Sequence, residues 1–113
     1  MKKIVLLSGF FVFFLLGAIA YAHPPSDIKI TFDPKIKILQ AVIMHGVSNP
    51  VKHYIKKVDV ALNGKEIIEQ SISVQDNLDS QTISYFIPDF KDGDVLSVEG
   101  YCSISGKLEK QLK

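Results

Sequence analysis

The sequence of 113 residues has no arginine and only one cysteine. Its thirteen lysines are matched by twelve acidic residues, so the formal net charge is only +1. Nucleic-acid binding depends largely on the neutralisation of phosphates by Lys and Arg, so this composition argues against a nucleic-acid partner. One cysteine also excludes an internal disulfide. Cys102 is therefore a buried thiol, a reactive thiol or a metal ligand.

Residues 1–22 differ from the rest of the chain. Lys2 and Lys3 precede an apolar run over residues 4–19, and Ala20-Tyr21-Ala22 has small residues at the two positions that a signal peptidase reads. This segment predicts a signal peptide cleaved after Ala22 and a periplasmic or extracellular protein. An uncleaved membrane anchor is the alternative, because about 17 apolar residues are enough to span a bilayer.

Cleavage leaves one domain, residues 23–113, with eleven lysines and twelve acidic residues. In an oxidising compartment a free thiol is a liability unless something occupies it. The location predicted for the protein is therefore a first indication that Cys102 binds a metal.

Domain 23–113 has no convincing helical period and instead shows short stretches of strand-like alternation. Strands are predicted over residues 27–32, 36–44, 54–62, 65–74, 81–87 and 95–102, and a short charged strand follows Ser105-Gly106-Lys107. The clearest turn is Asn63-Gly64, which favours a type I′ hairpin because both positions need a positive φ. Seven strands at a spacing of roughly ten residues predict an all-β fold, an immunoglobulin-like antiparallel β-sandwich. A small barrel is the alternative.

Two predictions concern the faces of these strands. On the fourth strand, Ile68, Ile72 and Val74 are expected to point towards the core. The lysines of the last strand suit an exposed sheet edge, where charge discourages pairing with another chain.

The nitrogen and sulfur ligands of the domain are His23, His45, His53 and Cys102, all at predicted strand ends or in loops. His45 and His53 bracket the turn-forming pair Asn49-Pro50, an arrangement that presents two neutral imidazoles to one metal ion. Each residue also has an alternative without a metal. His23 would belong to a disordered terminus, His45 and His53 would be surface residues, and Cys102 would be a small core residue. Because the set contains every histidine and the only cysteine, it predicts a metal site.

The segment from His45 to His53-Tyr54-Ile55, followed by a strand and Asn63-Gly64-Lys65, resembles the iron-binding domain of superoxide reductases (desulfoferrodoxin and neelaredoxin). That family carries a His-Pro-loop-His-Tyr-Ile segment that leads into a strand. Its C-terminal hairpin, approximately Tyr-Cys-Asn-x-His-Gly, is matched by Tyr101-Cys102-Ser103-Ile104-Ser105-Gly106 at the Tyr, Cys and Gly. His23-Pro24-Pro25 stands where the family's first ligand histidine lies in a His-x-Pro segment.

The resemblance covers essentially residues 23–113 and implies an immunoglobulin-like sandwich with a square-pyramidal non-haem iron site. It also implies the reduction of superoxide, with a small protein as electron donor. The implied ligands are three equatorial histidines and an axial thiolate: His23, His45, His53 and Cys102.

Three positions depart from the family pattern. Ser105 stands at the fourth histidine, Gly46 replaces a proline in a loop two residues longer, and Ala22 replaces a lysine thought to attract superoxide. Cleavage after Ala22 would also give His23 a free α-amine. An amine with imidazoles favours Cu(II), and imidazoles with a thiolate suit copper, iron or zinc.

Iron is therefore the expected cofactor, with copper and zinc as alternatives, and the choice between an oxidoreductase and a non-enzymatic protein stays open. One alternative is a copper-binding or other metal-binding module without turnover. Another is a sandwich that binds a protein partner, because the chain distantly resembles the carrier subunit of bacterial thiosulfate-oxidising systems. That subunit has a similar histidine-containing loop and an Asn-Gly-Lys hairpin. The oligomeric state, including a homo-oligomer, is left open.

Overall fold

Seven antiparallel strands make up the regular structure of residues 23–112, the part of the chain described by this computed structural model. Over these residues there is no helix, and so none long and apolar enough to cross a membrane. The predicted signal peptide lies outside the described residues. The strands are β1 (Asp27–Asp33), β2 (Ile38–Met44), β3 (Ile55–Leu62), β4 (Lys65–Ser71), β5 (Ser80–Phe86), β6 (Leu96–Cys102) and β7 (Lys107–Gln111).

The strands form two sheets that pack as a β-sandwich. One sheet has the order β1-β2-β5 and the other the order β4-β3-β6-β7. The prediction of an all-β sandwich with seven strands is confirmed, and the two separate sheets replace the barrel alternative. The chain crosses between the sheets three times, from β2 to β3, from β4 to β5 and from β5 to β6.

Alternating side chains from both sheets build the core, as expected for strands with one buried face. In β2 the residues Leu39, Ala41 and Ile43 are fully buried. Gly100 on β6 is a point of close approach between the sheets, because a Cβ there would lie 3.1 Å from Cγ2 of Ile43. Each fully buried Val, Leu or Ile side chain stabilises the fold by about 1.5–3 kcal/mol. The core contains Ile28, Leu39, Ala41, Ile43, Ile55, Val58, Val60, Ile83, Ile87, Leu96 and Val98.

The Asn63-Gly64 hairpin is confirmed, with φ values of 52° and 83° at the two positions. The exposed charged edge is confirmed in β7, where Lys110 forms an ion pair with Asp27 of β1 at 2.6 Å. This pair joins the outermost strands of the two sheets on one side of the sandwich.

The fourth strand is shorter than predicted and ends at Ser71. Ile68 and Ile72 pack against the core as expected, but the prediction for Val74 is wrong, because this side chain is 48% exposed. The chain leaves the sheet after Ser71 to cross to β5, so the alternation that orients a strand no longer applies to Val74.

Strand direction brings several distant segments to one end of the sandwich. β1 begins and β2 ends there, since Asp27 pairs with Met44. In the other sheet β3 begins where β6 ends, since Ile55 pairs with Cys102. Both crossovers that carry the chain from β2 to β3 and from β4 to β5 lie at this end, which also holds all four predicted ligands.

Candidate metal centre

His45 follows directly on the last residue of β2 and is 1% exposed. The backbone extends the strand by two further hydrogen bonds, from His45 N to Asp79 O and from Val47 N to Leu78 O, each at 2.8 Å. The surface alternative for His45 is therefore wrong. Its imidazole is held at the end of the core between the two sheets.

His53 is positioned by a tight turn that begins at Asn49. The Asn49 carbonyl accepts a hydrogen bond from the His53 N–H at 2.9 Å, and the Asn49 side chain accepts one from the Val51 N–H at 3.1 Å. Immediately after His53, the backbone of Tyr54 is hydrogen-bonded to Ser103, through Ser103 N at 2.8 Å and Ser103 Oγ at 3.1 Å. These contacts place His53 beside the end of β6.

His23 is held by the prolines that follow it. Pro25 is buried, and Ser26 N donates to the Met44 carbonyl at 2.8 Å, which ties this segment to the end of β2. Gly106 packs closely against it, because a Cβ at Gly106 would lie 2.9 Å from Cβ of Pro24. The extended His-Pro-Pro segment therefore lies over the hairpin between β6 and β7, and His23 reaches the other two histidines.

The three imidazoles converge on one point. Their ring centroids are 4.8 Å apart in all three pairs. One ring nitrogen of each of His23, His45 and His53 lies within 4.8 Å of the others. Three nitrogens bound about 2.0–2.1 Å from one ion are about 3.3–3.6 Å apart in tetrahedral or trigonal geometry. A pair at the 4.8 Å limit would therefore have to approach by about 1.2–1.5 Å to share one ion.

Cys102 joins this cluster through His53. Its Sγ lies 3.2 Å from His53 Nε2 and 3.4 Å from the backbone N–H of Ile104. A nitrogen and a sulfur bound to one ion are about 3.1–3.6 Å apart at ordinary bond lengths and angles, which agrees with the first distance. The thiol is 2% exposed and is free of any disulfide. The sulfur is outside the set of atoms that all lie within 4.8 Å of one another.

The hydrogen bonds of Gln75 define the tautomer of His45. Gln75 Nε2 donates to the carbonyls of His45 at 2.8 Å and Asn77 at 3.0 Å, so its Oε1 is the atom that faces His45 Nδ1 at 2.8 Å. An amide oxygen only accepts, so Nδ1 carries the proton. His45 Nε2 is therefore an unprotonated acceptor, and it is buried with no hydrogen-bond partner among residues 23–112.

The same reasoning applies to His23. Its Nδ1 lies 3.1 Å from the carbonyl oxygen of Pro24, which only accepts, so Nδ1 donates and Nε2 keeps the free lone pair. Two of the three histidines thus have Nε2 available as a metal donor.

Burial disfavours the protonated form of two of the imidazoles, those of His45 and His53. The pKa of His45 is lowered, mainly because burial disfavours the charged ring, although the Gln75 bond opposes the shift. Burial and the neighbouring rings of His45 and His23 also lower the pKa of His53. Since a metal ion binds only neutral imidazole, these shifts favour metal binding at neutral pH.

An open depression of about 770 Å³ lies over the cluster and is bordered by His23 and His53. One lysine, Lys52, and one acidic residue, Asp79, line it. Ser105, which stands at the family's fourth histidine, is exposed. The remaining lining residues are Gly46, Val47, Ser48, Asn49, Leu78 and Ile104.

A second group of potential ligands, Asp59, Glu66 and Glu69, lies on β3 and β4 away from the histidines. Lys57 already forms ion pairs with two of these carboxylates, at 3.6 Å from Asp59 and 3.5 Å from Glu69. Lys57 therefore neutralises part of this group, while the Oδ1 atom of Asp59 is buried without a hydrogen-bond partner among residues 23–112.

All four residues predicted from the sequence lie at this centre, and one residue of the site was missed. Residues 75–80 lie between two predicted strands, and nothing in the sequence of this stretch distinguishes Gln75, which is 2% exposed. Comparisons of the chain with protein-family models, with curated proteins and with solved structures find no match.

Proposed function

We propose that residues 23–113 form an exported mononuclear metal-binding domain of the superoxide reductase type. Non-haem iron is the proposed metal, and its proposed ligands are His23, His45, His53 and Cys102. The fold is proposed to be immunoglobulin-like. The strand order supports this, because the first, second and fifth strands share one sheet while the third, sixth and seventh share the other.

The observation that carries the metal proposal is the buried Nε2 of His45. Leaving a buried polar atom without a partner costs about 1–3 kcal/mol, and this nitrogen has no hydrogen-bond partner among residues 23–112. The centroid of the His45 ring lies 4.8 Å from the centroids of two other imidazoles, those of His23 and His53. A bound metal ion would satisfy all three rings at once.

The donor set supports iron, because imidazoles with one thiolate suit iron among other metals. Iron bound in this way would supply one-electron redox chemistry. Superoxide would gain one electron and two protons to give hydrogen peroxide, and a small electron-donor protein would resupply that electron. The chain itself lowers the pKa of His45 and of His53 by burial and shields Cys102 from solvent. It leaves one side of the cluster open to a small molecule through the depression beside Lys52.

The test is to express the full chain, isolate the protein from the periplasm, and determine its metal content and N-terminal residue. Iron(III)-loaded protein is expected to show a visible thiolate-to-iron charge-transfer band. Cys102→Ser should abolish this band, whereas Ser105→Ala, a change at an exposed residue of the same hairpin, should leave it unchanged. Iron-loaded protein without the band would refute the superoxide reductase type. Failure to bind any metal would refute the site itself.

A non-enzymatic copper or zinc module is the second candidate, and one observation favours it. Ser105 is exposed and provides no nitrogen, which leaves four protein donors, the number that a closed four-coordinate site uses. A Cu(II) chelate through the α-amine would need Nδ1 of His23 and would break its bond to the Pro24 carbonyl. Copper affinity that falls when one residue is added before His23 would favour this candidate over iron.

A further inference from the structure

We infer that Gln75 is the positioning residue of this metal site. It determines which nitrogen of His45 faces the metal, and it holds the site together before any metal binds. The inference rests on the proposed metal-binding function, although its effect on His45 is present in the metal-free protein. Gln75 lies thirty residues from His45 in the chain, and its other hydrogen bonds go to the carbonyls of His45, Asn77 and Pro50.

The carboxamide is the chemical group that this position requires. One oxygen accepts from His45 Nδ1, while one NH2 group donates to the carbonyls of His45 and Asn77. A carboxylate would also accept from the imidazole, but it would leave both carbonyls without their donor. An aliphatic side chain would satisfy none of the three. Only an amide side chain both accepts and donates in this way.

Gln75 also connects the segments that carry the ligands. Its backbone N–H donates to the carbonyl of Pro50 at 3.1 Å, inside the loop that ends at His53. Its side chain bonds both the ring and the backbone of His45. The crossover between β4 and β5 is thereby joined to the start of the His45–His53 loop and to Pro50 in the middle of it. The buried position of Gln75 excludes water from competing for these bonds.

The consequence is a site that is already formed in the metal-free protein. Because Nδ1 is protonated and bonded to Gln75, the ring cannot rotate to present Nδ1 to the metal. Partners of this kind, which bond the second nitrogen of a ligand histidine, usually contribute 10-fold to 100-fold to metal affinity. We expect Gln75 to contribute in that range.

The first measurement is a two-bond ¹H–¹⁵N correlation spectrum of the metal-free protein, which distinguishes the tautomers of each histidine. His45 is expected in the form protonated at Nδ1. In Gln75→Met, which keeps a similar volume without an amide, the spectrum should show a mixture of tautomers. Gln75→Glu keeps the acceptor and should retain the Nδ1–H form.

The second measurement is Zn²⁺ affinity by competition with a chelator. Gln75→Met should lower the affinity by about 10-fold to 100-fold. The matched control is Gln81→Met, since Gln81 is a neighbouring buried glutamine that bonds Asp76 and the Thr82 carbonyl and does not touch an imidazole. It should change stability while leaving both the tautomer of His45 and the Zn²⁺ affinity as they are.

The outcomes separate the two proposals. Wild-type protein that binds Zn²⁺ while Gln75→Met binds it equally well would overturn the role of Gln75 and leave the metal site standing. Wild-type protein that fails to bind metal would overturn the proposed function, and the tautomer of His45 would still test the contact with Gln75. If Gln75→Met does not fold, Gln75→Glu decides the point, because loss of the Nδ1–H form in that variant contradicts the inference.

Discussion

Replacing His45 by leucine should distinguish the stability of the metal-free fold from the stability that a bound metal adds. His45 is 1% exposed, and truncation of a buried residue usually destabilises a protein. Here the substitution removes an unpaired buried nitrogen that costs about 1–3 kcal/mol, but it leaves the Gln75 oxygen unpaired at a similar cost. The two effects nearly cancel, so the free energy of unfolding of the metal-free variant should differ from that of the wild type by less than about 1.5 kcal/mol.

The metal-bound proteins should differ much more. At a free Zn²⁺ concentration of about 1,000 times Kd, the wild type gains about 4.1 kcal/mol from binding. A 100-fold weaker variant at the same concentration would gain only about 1.4 kcal/mol, by the same relation. His45→Leu should therefore lose about 2.7 kcal/mol of the increment that zinc adds.

Urea unfolding followed by circular dichroism measures both quantities, and it suits a chain that has no tryptophan. The control is Leu96→Ala at the opposite end of β6, where Leu96 is 1% exposed. That change should cost about 2–5 kcal/mol without metal and leave the zinc increment intact. An equal zinc increment in His45→Leu and wild type would refute the assignment of His45 as a ligand.

Two further predictions concern the hairpin over the site and the effect of acid. Gly106→Ala should destabilise the fold by about 1–3 kcal/mol and weaken Zn²⁺ binding, because Gly106 has φ +90° and its new Cβ would meet Pro24 at 2.9 Å. The control is Gly46→Ala, which has open space around it and no positive φ and should change neither stability nor affinity. An unchanged Zn²⁺ affinity in Gly106→Ala would contradict the packing argument. Metal-free protein should lose stability as the pH falls below 6.5, the ordinary pKa of histidine, because the lowered pKa values of His45 and His53 let the unfolded chain bind protons first. The free energy of unfolding should fall by at most about 1.4 kcal/mol per pH unit for each ring. Measured from pH 7 to pH 5, this fall should be shallower in His45→Leu than in the wild type. An identical slope in the two proteins would contradict the burial argument.

The secondary structure was largely predictable from local sequence. Strand alternation repeats every two residues and a type I′ turn depends on two neighbouring φ angles, so both are written in adjacent positions. The prediction was wrong at Val74, where the strand had already ended at Ser71. A crossover between sheets depends on where the next strand pairs, which the local pattern does not contain.

The candidate ligands were also visible in the sequence, because histidine and cysteine are few and chemically distinct. Their convergence was not visible in the same way, since His23, His45, His53 and Cys102 are brought together by the pairing of strands that are distant in the chain. Gln75 shows the difference most clearly. By sequence it is one polar residue between two predicted strands, and only the crossover from β4 to β5 buries it against His45. The types of the candidate ligands are therefore a property of the sequence alone. The tautomer of His45 and the convergence of the rings come from long-range strand pairing and hydrogen bonds that exist only in the folded chain.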